Sequence, residues 1–298
     1  MKVGAVVPIG DGDGGTPGAP SWREIRGFAQ RAEELGFDSV WAPDHLLPHL
    51  DAVGGPGAIH EAWTLVSALA ASTSRIDIGT LVIAAPWRNP ALLAKMAVTL
   101  DEVSDGRLIL GLGTGYHEPE FAAFGYGRAD DHPVTRLEQA LRIIVPLLRD
   151  ERVTFEGRYA SARDVVLLPA PKRRIPVLIA GEGPRMIRLA TQWSDLWNTA
   201  WYEHPDERLT ARLASLDDAL AAEARARDSL VVSVGTRVGE EDSDEIAAAM
   251  REFADAGADQ LIVRIEPPRT ERSLERVARA LAVYRAAQEE RASNGRAG

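Results

Sequence analysis

The sequence is dominated by one unit that recurs along most of its length: an amphipathic helical stretch, a turn carrying Gly, Asp or Arg, and a short apolar run. Runs that are apolar at nearly every position indicate strands buried on both faces, as in a parallel sheet covered by helices. Eight such runs occur, at 3–8, 39–42, 76–83, 108–112, 176–180, 195–199, 230–234 and 260–265. Because no linker divides them, they predict an α/β fold, a closed (β/α)8 TIM barrel that occupies residues 1–298 as a single domain.

The stretches between the runs carry apolar residues at helical spacing. The first has Ile25, Phe28 and Ala32 on one face, with Ser21 placed to cap its start and Gly36 placed to end it. A narrow apolar stripe of this kind suits the outer ring of a barrel, where each helix packs on the strands with one side only.

Three longer segments interrupt this rhythm, at 10–20, 46–61 and 151–174. The first two follow strands, so they are expected at the C-terminal mouth, where barrel enzymes build their active sites. The third is predicted to be an insertion with a hairpin of 153–155 and 165–168. The tail, about 287–298, is polar and is predicted to fray.

Composition excludes several classes of protein. The chain has no cysteine, which rules out disulfides, thiolate nucleophiles and cysteine-ligated metal centres, and its net charge of −10 repels nucleic acid. No apolar run reaches roughly eighteen residues, so no membrane span is expected. The apolar stretch near the N-terminus is too short for a signal peptide, and a cytoplasmic location is expected.

Polar residues at the strand ends are the candidate catalytic groups. Asp44 and His45 follow the second run. A histidine at the mouth of a barrel can act as acid or base, and the adjacent carboxylate can set its orientation. The alternative is a capping aspartate beside a surface histidine. His117 flanks the same mouth, Trp201 is placed to touch a substrate, and the last run carries Arg264 near its end.

Two glycine-rich strand ends are candidate cofactor contacts. At Gly113, Thr114 and Gly115 the backbone can approach a flat ligand and the threonine adds a hydroxyl, although a tight turn has the same composition. In the second, glycines precede a proline at the first helical turn, which leaves N–H groups available, and an arginine adds charge. This predicted phosphate seat consists of Gly181, Glu182, Gly183, Pro184 and Arg185.

Several motifs, taken in order, resemble the luciferase-like monooxygenase superfamily, and most of all its coenzyme F420-dependent oxidoreductases. The motifs are Val40-Trp41-Ala42-Pro43-Asp44-His45, Ile78-Gly79-Thr80-Leu81, 89–94, 105–121, Glu156-Gly157-Arg158-Tyr159, 181–185 and Asp195-Leu196-Trp197-Asn198. The resemblance covers residues 1 to about 270. It implies a (β/α)8 barrel that holds FMN or the deazaflavin F420 in its C-terminal mouth.

The resemblance also implies particular site residues. A bulge with a non-prolyl cis peptide bond is expected at Leu81-Val82, behind the cofactor ring, and the phosphate is expected near 181–185. The expected ring contacts are Asp44, His45, Thr80, Leu81, Val82 and Ile83, with Gly113, Thr114, Gly115 and Tyr116 at the edge.

Two positions depart from the sugar-phosphate dehydrogenase of this family. That enzyme has an acid directly after the Gly-Thr-Gly turn and a tryptophan four residues after the histidine, where this chain has Tyr116 and His49. The departures argue against that activity and predict a different substrate pocket, lined by Tyr116 and His117.

The leading hypothesis is hydride transfer between F420 and a small organic substrate, with His45 as proton donor or acceptor and Asp44 and His117 beside it. The alternative is a monooxygenase that uses reduced FMN from a separate flavin reductase, and the residues do not distinguish the two cofactors. Members of the family often form homodimers, although no feature of this sequence requires one.

Other barrel functions lack the residues they need. No His-x-His motif lies on the first strand, so no metal site is predicted, and no lysine stands at a strand end for a Schiff base. The seventh run ends in Gly235-Thr236-Arg237, without the carboxylate of a glycosidase. A non-catalytic cofactor-binding barrel would tolerate the loss of Asp44 and His45, whose presence argues against it.

Overall fold

A computed structural model describes residues 1–11, 13, 18–47 and 57–295. His49 and the glycines at 54 and 55 lie outside these residues. The strands are β1 (Lys2–Val6), β2 (Ser39–Ala42), β3 (Asp77–Thr80), β4 (Ile83–Ala84), β5 (Leu108–Gly113), β6 (Val153–Glu156), β7 (Ser161–Val165), β8 (Val177–Ala180), β9 (Leu196–Tyr202), β10 (Val231–Val238) and β11 (Gln260–Ile265). The helices are α1 (Trp22–Glu34), α2 (Ala62–Ser72), α3 (Pro90–Val103), α4 (Glu118–Ala123), α5 (Pro133–Leu148), α6 (Pro184–Trp193), α7 (Glu207–Ala222), α8 (Ser243–Asp255) and α9 (Glu271–Gly295).

The main sheet closes on itself as a parallel barrel. Its order is β3-β2-β1-β11-β10-β9-β8-β5-β4, and the additional pairing of β3 with β5 closes the ring. Because β3 and β4 are two parts of one interrupted strand, the ring has eight barrel strands, and each overlaps one of the predicted apolar runs. The expected (β/α)8 barrel is therefore confirmed.

The third barrel strand, formed by β3 and β4, contains a bulge that the continuous apolar run at 76–83 does not reveal. Gly79 pairs with Ile109 and Ile83 pairs with Leu112, so residues 80–82 stand opposite only 110–111. The peptide bond Leu81-Val82 inside this bulge is cis, as the family resemblance implied. The extra residue turns the chain so that its side chains are re-aimed at the end of the barrel.

The core has two layers. The larger lies between the strands and the outer helices, and α1 contributes to it after a capping box formed by Ser21 and Glu24. A smaller cluster fills the inside of the barrel around Trp41, for which Gly4 and Gly79 leave room, since a Cβ at either would lie within 2.6 Å of the indole. Its buried members are Val6, Trp41, Ile109, Leu178, Leu196 and Ile262.

Two details differ from the expectations. In the hairpin β7 begins four residues earlier than predicted, because a tight turn, closed by the Gly157 N–H bond to the Ala160 carbonyl, pairs Glu156 with Ser161. The tail predicted to fray from about 287 is part of α9, which continues to Gly295. Among the described residues, no helix is both long and apolar enough to cross a bilayer.

Candidate active site

A cavity of about 480 Å³ opens at the carboxyl ends of the barrel strands. Leu81, Val82 and Trp201 pack on the cluster inside the barrel and form what we call the floor of this cavity. The size and the apolar floor are typical of small-molecule sites. His45 and Tyr116 stand at its side, and Arg264 lines it beside Trp201.

The imidazole of His45 lies between a carboxylate and a phenol. Its Nδ1 is 3.2 Å from Glu120 Oε1 and 3.3 Å from Oε2, and its Nε2 is 3.5 Å from the hydroxyl of Tyr116. The ring of Tyr116 meets the imidazole edge to face at a centroid distance of 5.7 Å. Loss of hydration and the charge of Glu120 raise the pKa of Tyr116, while Arg264 has a smaller opposite effect.

Glu120 is the buried anion of this site. Its Oε1 accepts hydrogen bonds from the backbone N–H groups of Leu46 at 2.6 Å and Leu47 at 3.0 Å. Burial acts to raise the pKa of this carboxyl, but the hydrogen bonds from His45 and the two N–H groups outweigh it and hold the pKa below its usual value. An ionised carboxylate only accepts hydrogen bonds, so the neutral imidazole of His45 carries its hydrogen on Nδ1.

Asp44 has a different role from the one expected. Its carboxylate accepts the backbone N–H of Ala84 at 2.9 Å and two bonds from the guanidinium of Arg88, at 2.6 and 3.0 Å. Arg88 also binds Glu61. Asp44 therefore fastens β4 to the end of β2, and the carboxylate that orients His45 is Glu120.

His117 lies next to the pair formed by His45 and Glu120. It occupies the N-cap position of α4, its Nδ1 is 3.5 Å from Glu120 Oε2, and its ring centroid is 6.5 Å from that of His45. Glu120 therefore has a histidine on either side. Sequence reasoning passed over Glu120, although an acidic residue in a short helix directly after a glycine-rich strand end was a signal for it.

The predicted ring contacts divide into two groups. Leu81, Val82, Gly115 and Tyr116 line the cavity together with Asp44 and His45. Thr80, Ile83, Gly113 and Thr114 do not line it. The Thr80 hydroxyl donates a hydrogen bond to the Gly111 carbonyl and accepts one from the Gly111 N–H, both at 2.9 Å. Ile83 is buried in the hydrophobic core. Gly113 has no side chain, and the side chain of Val82 occupies the space where its Cβ would lie.

The predicted phosphate seat also lies at the carboxyl edge, where β8 leads into α6. Gly183 is the N-cap of α6 and Pro184 its first residue, so the first N–H groups of this helix have no side-chain cap from the described residues. The side chain of Glu182 binds Arg212. The guanidinium of Arg185 binds Thr135 at 3.0 Å and Glu138 at 2.6 Å on α5.

A further ion pair, between Asp13 and Arg269, lines the cavity. Asp13 accepts the N–H groups of Ile9 and Gly10, both at 2.9 Å, and its other oxygen is 2.7 Å from Nη1 of Arg269. Burial lowers the pKa of Arg269 to about 10, although Asp13 acts to raise it. Sequence reasoning did not identify this pair, which joins the segment after β1 to the segment after β11.

The model of the family described as luciferase-like monooxygenase matches residues 1–298. The chain belongs to this family. Among curated relatives of this luciferase-like protein, an F420-dependent glucose-6-phosphate dehydrogenase of Microbacterium testaceum is 35% identical over 209 residues, 70% of this chain and 61% of the relative. An F420-dependent hydroxymycolic acid dehydrogenase of Mycobacterium tuberculosis is 33% identical over 242 residues, 78% of this chain and 64% of the relative. The chain spans less than two thirds of the length of these relatives.

Solved structures share the fold of the luciferase-like protein. An F420-dependent secondary alcohol dehydrogenase in complex with an F420-acetone adduct superposes with a TM-score of 0.82 at 17% identity, covering 95% of this chain and 99% of that one. A monooxygenase from Streptomyces bottropensis gives a TM-score of 0.78 at 20% identity, with coverage of 95% and 99%. At these identities the likeness establishes the architecture alone.

Proposed function

We propose that this luciferase-like protein is an oxidoreductase that transfers hydride between F420 and a small organic substrate. The observation that carries the proposal is the His45 imidazole, held by Glu120 at Nδ1 and directed by Nε2 towards the cavity above the Leu81-Val82 bulge. The curated relatives named above are F420-dependent enzymes, which supports the choice of this cofactor. When bound, F420 would supply a ring carbon that gives or accepts hydride, and the reduced cofactor reacts little with oxygen.

The described residues fit a flat ring with a phosphorylated tail. Leu81, Val82 and Trp201 offer an apolar floor, and Gly115 with Tyr116 would meet one edge of the ring. The uncapped N–H groups at the start of α6, with Gly181 and Gly183 before them, would receive the phosphate. Under this proposal Thr80, Ile83 and Gly113 hold the floor in place from below.

His45 moves the proton that accompanies hydride. Because Nδ1 keeps its hydrogen for Glu120, the lone pair of the neutral ring lies at Nε2, which takes a proton from a substrate hydroxyl in oxidation. In reduction, the protonated ring returns it to the substrate oxygen, and the ionised Glu120 stabilises the imidazolium. Tyr116 stays protonated because its pKa is raised, so its hydroxyl can donate to the same oxygen.

The proposal has consequences for partners and setting. Under this proposal the enzyme acts on a small molecule without a flavin reductase, and we propose a cytoplasmic location. We also propose that two copies of the chain associate as a homodimer. Light scattering on the purified protein measures this.

Titration of the purified protein with F420 and with FMN tests the cofactor. We expect F420 fluorescence to be quenched on binding and FMN to bind at least about tenfold more weakly, a difference of 1.4 kcal/mol. Tight binding of FMN with unchanged F420 fluorescence would instead establish the reduced-FMN monooxygenase. Oxidation of reduced F420 by a panel of ketones and aldehydes then tests hydride transfer directly.

A further inference from the structure

Arg264 is a cationic side chain that lines the cavity. It lies in β11 and its guanidinium carbon stacks 5.9 Å from the centroid of the Trp201 ring. Its Nε is buried and has no hydrogen-bond partner in the part of the chain that the structure describes, and no carboxylate there forms an ion pair with it. A buried N–H of a charged group that lacks an acceptor costs free energy, so an acceptor from a ligand is expected.

Three carboxylates around the cavity already bind other groups. Asp13 binds Arg269 and two backbone N–H groups. Asp44 forms an ion pair with Arg88. Glu120 serves His45. The nearest acid in sequence, Glu266, has Oε1 3.9 Å from Nε of Arg237. Among the described residues this oxygen has no hydrogen-bond partner, and it forms no ion pair with Arg264.

We propose that Arg264 binds a carboxylate of the substrate, and that the substrate is therefore a ketone, aldehyde or alcohol that also carries one carboxylate group. This inference rests on the proposed function, because it takes the substrate to react beside His45 and Tyr116 in the cavity that Arg264 lines. A guanidinium matches a carboxylate with two parallel N–H bonds, and the guanidinium of Arg264 lies over the Trp201 ring at the cavity.

The charge inventory favours a carboxylate over a phosphate ester. A phosphate monoester carries about −1.5 to −2 charges at pH 7 and would require more than one cation. The second guanidinium of this region, on Arg269, is bound to Asp13 and to the Ile265 carbonyl. None of the three lysines, Lys2, Lys95 and Lys172, is among the described residues that line the cavity.

Matched probes test this site without knowledge of the natural substrate. Ligand-observed NMR titrations would compare levulinate (4-oxopentanoate) with pentan-2-one, in which a methyl group replaces the carboxylate. We expect levulinate to bind at least about tenfold more tightly, as a hydrogen bond to a charged group implies. Arg264→Gln should remove this preference and Arg264→Lys should keep part of it. Arg272→Gln, at the exposed start of α9, is the matched control and should keep all of it.

Each other outcome overturns the inference. These are equal binding of the two probes, a preference that survives Arg264→Gln, or tighter Arg264-dependent binding of dihydroxyacetone phosphate than of levulinate. A loss of F420 binding in Arg264→Gln with levulinate unaffected would assign the side chain to the cofactor. Since the titrations are run with and without F420, Arg264-dependent levulinate binding in a protein that fails to bind F420 would end the proposed function and leave the carboxylate site standing. Arg264→Lys keeps the test decisive if Arg264→Gln does not fold.

Discussion

Glu120 Oε1 lies 3.2 Å from Nδ1 of His45, across 75 residues of sequence, and the same carboxylate accepts two backbone N–H groups of the chain that carries the histidine. The contact does two things at once. It fixes the chain after β2 against α4, and it determines which nitrogen of the imidazole faces the substrate. The structural and the chemical role of Glu120 can therefore be separated by experiment.

Stability should depend on the ionisation of Glu120. Its pKa in the folded protein lies below the ordinary 4.5, so the carboxylate stabilises the fold above pH 4.5 and this contribution is lost as the pH falls through the lowered pKa. We expect Glu120→Gln to be less stable than wild type at pH 7, and the difference in free energy of unfolding to shrink towards pH 3. Urea denaturation at several pH values measures it. A difference independent of pH would show that Glu120 is not the ionised group.

Removal of the His45 imidazole should slow turnover strongly and spare cofactor binding. In His45→Ala we expect kcat to fall about 10²- to 10⁴-fold, the usual contribution of a positioned acid or base. The dissociation constant of F420, from fluorescence quenching, should change by less than about tenfold, since the apolar floor is intact. His204→Ala, which removes an exposed histidine paired with Glu252, is the control. Wild-type kcat in His45→Ala would favour a non-catalytic barrel.

Asp44 should matter for stability, because its carboxylate binds the guanidinium of Arg88 and the backbone N–H of Ala84. Asp44→Ala leaves the guanidinium of Arg88 without its buried carboxylate and the Ala84 N–H without an acceptor. We expect a loss of about 3–5 kcal/mol in the free energy of unfolding, as for other broken buried ion pairs. Arg128→Ala, which breaks an exposed pair with Asp130, should change nothing measurable. An Asp44→Ala protein with normal stability and no activity would return Asp44 to the catalytic group.

The bulge should not tolerate a methyl group at Gly113. A Cβ there would lie 2.5 Å from Cγ2 of Val82, so Gly113→Ala must push the floor of the cavity towards the cofactor. We expect a destabilisation of about 1–3 kcal/mol and weaker F420 binding. The double variant Gly113→Ala/Val82→Ala removes the clash and should recover stability. Failure of that rescue would place the strain elsewhere in β5.

The barrel was predictable because its signal is local. A strand buried on both faces must be apolar at nearly every position, and each of the eight barrel strands carries this pattern within its own short segment. The bulge in the third barrel strand has no local signature, since the apolar run at 76–83 continues across it. The extra residue is visible only in the pairing register with β5. Its position came from the family resemblance.

The partners of the site residues were less accessible to sequence reasoning. Asp44 is adjacent to His45 in the chain, yet successive residues of an extended segment point in opposite directions, and the two side chains separate to Arg88 and Glu120. Arg185 was expected at a phosphate, but Glu138 on α5 neutralises it. Such pairings depend on which helices become neighbours, and no single segment encodes that.

Trp41 occupies the inside of the barrel directly beneath the bulge, with Gly4 and Gly79 shaped around it. In the part of the chain that the structure describes, this indole fills the interior below the cavity. Under the proposed function, a flat cofactor on the floor of the cavity would cover the filled interior, and the substrate would bind on the side of the ring that faces away from Trp41.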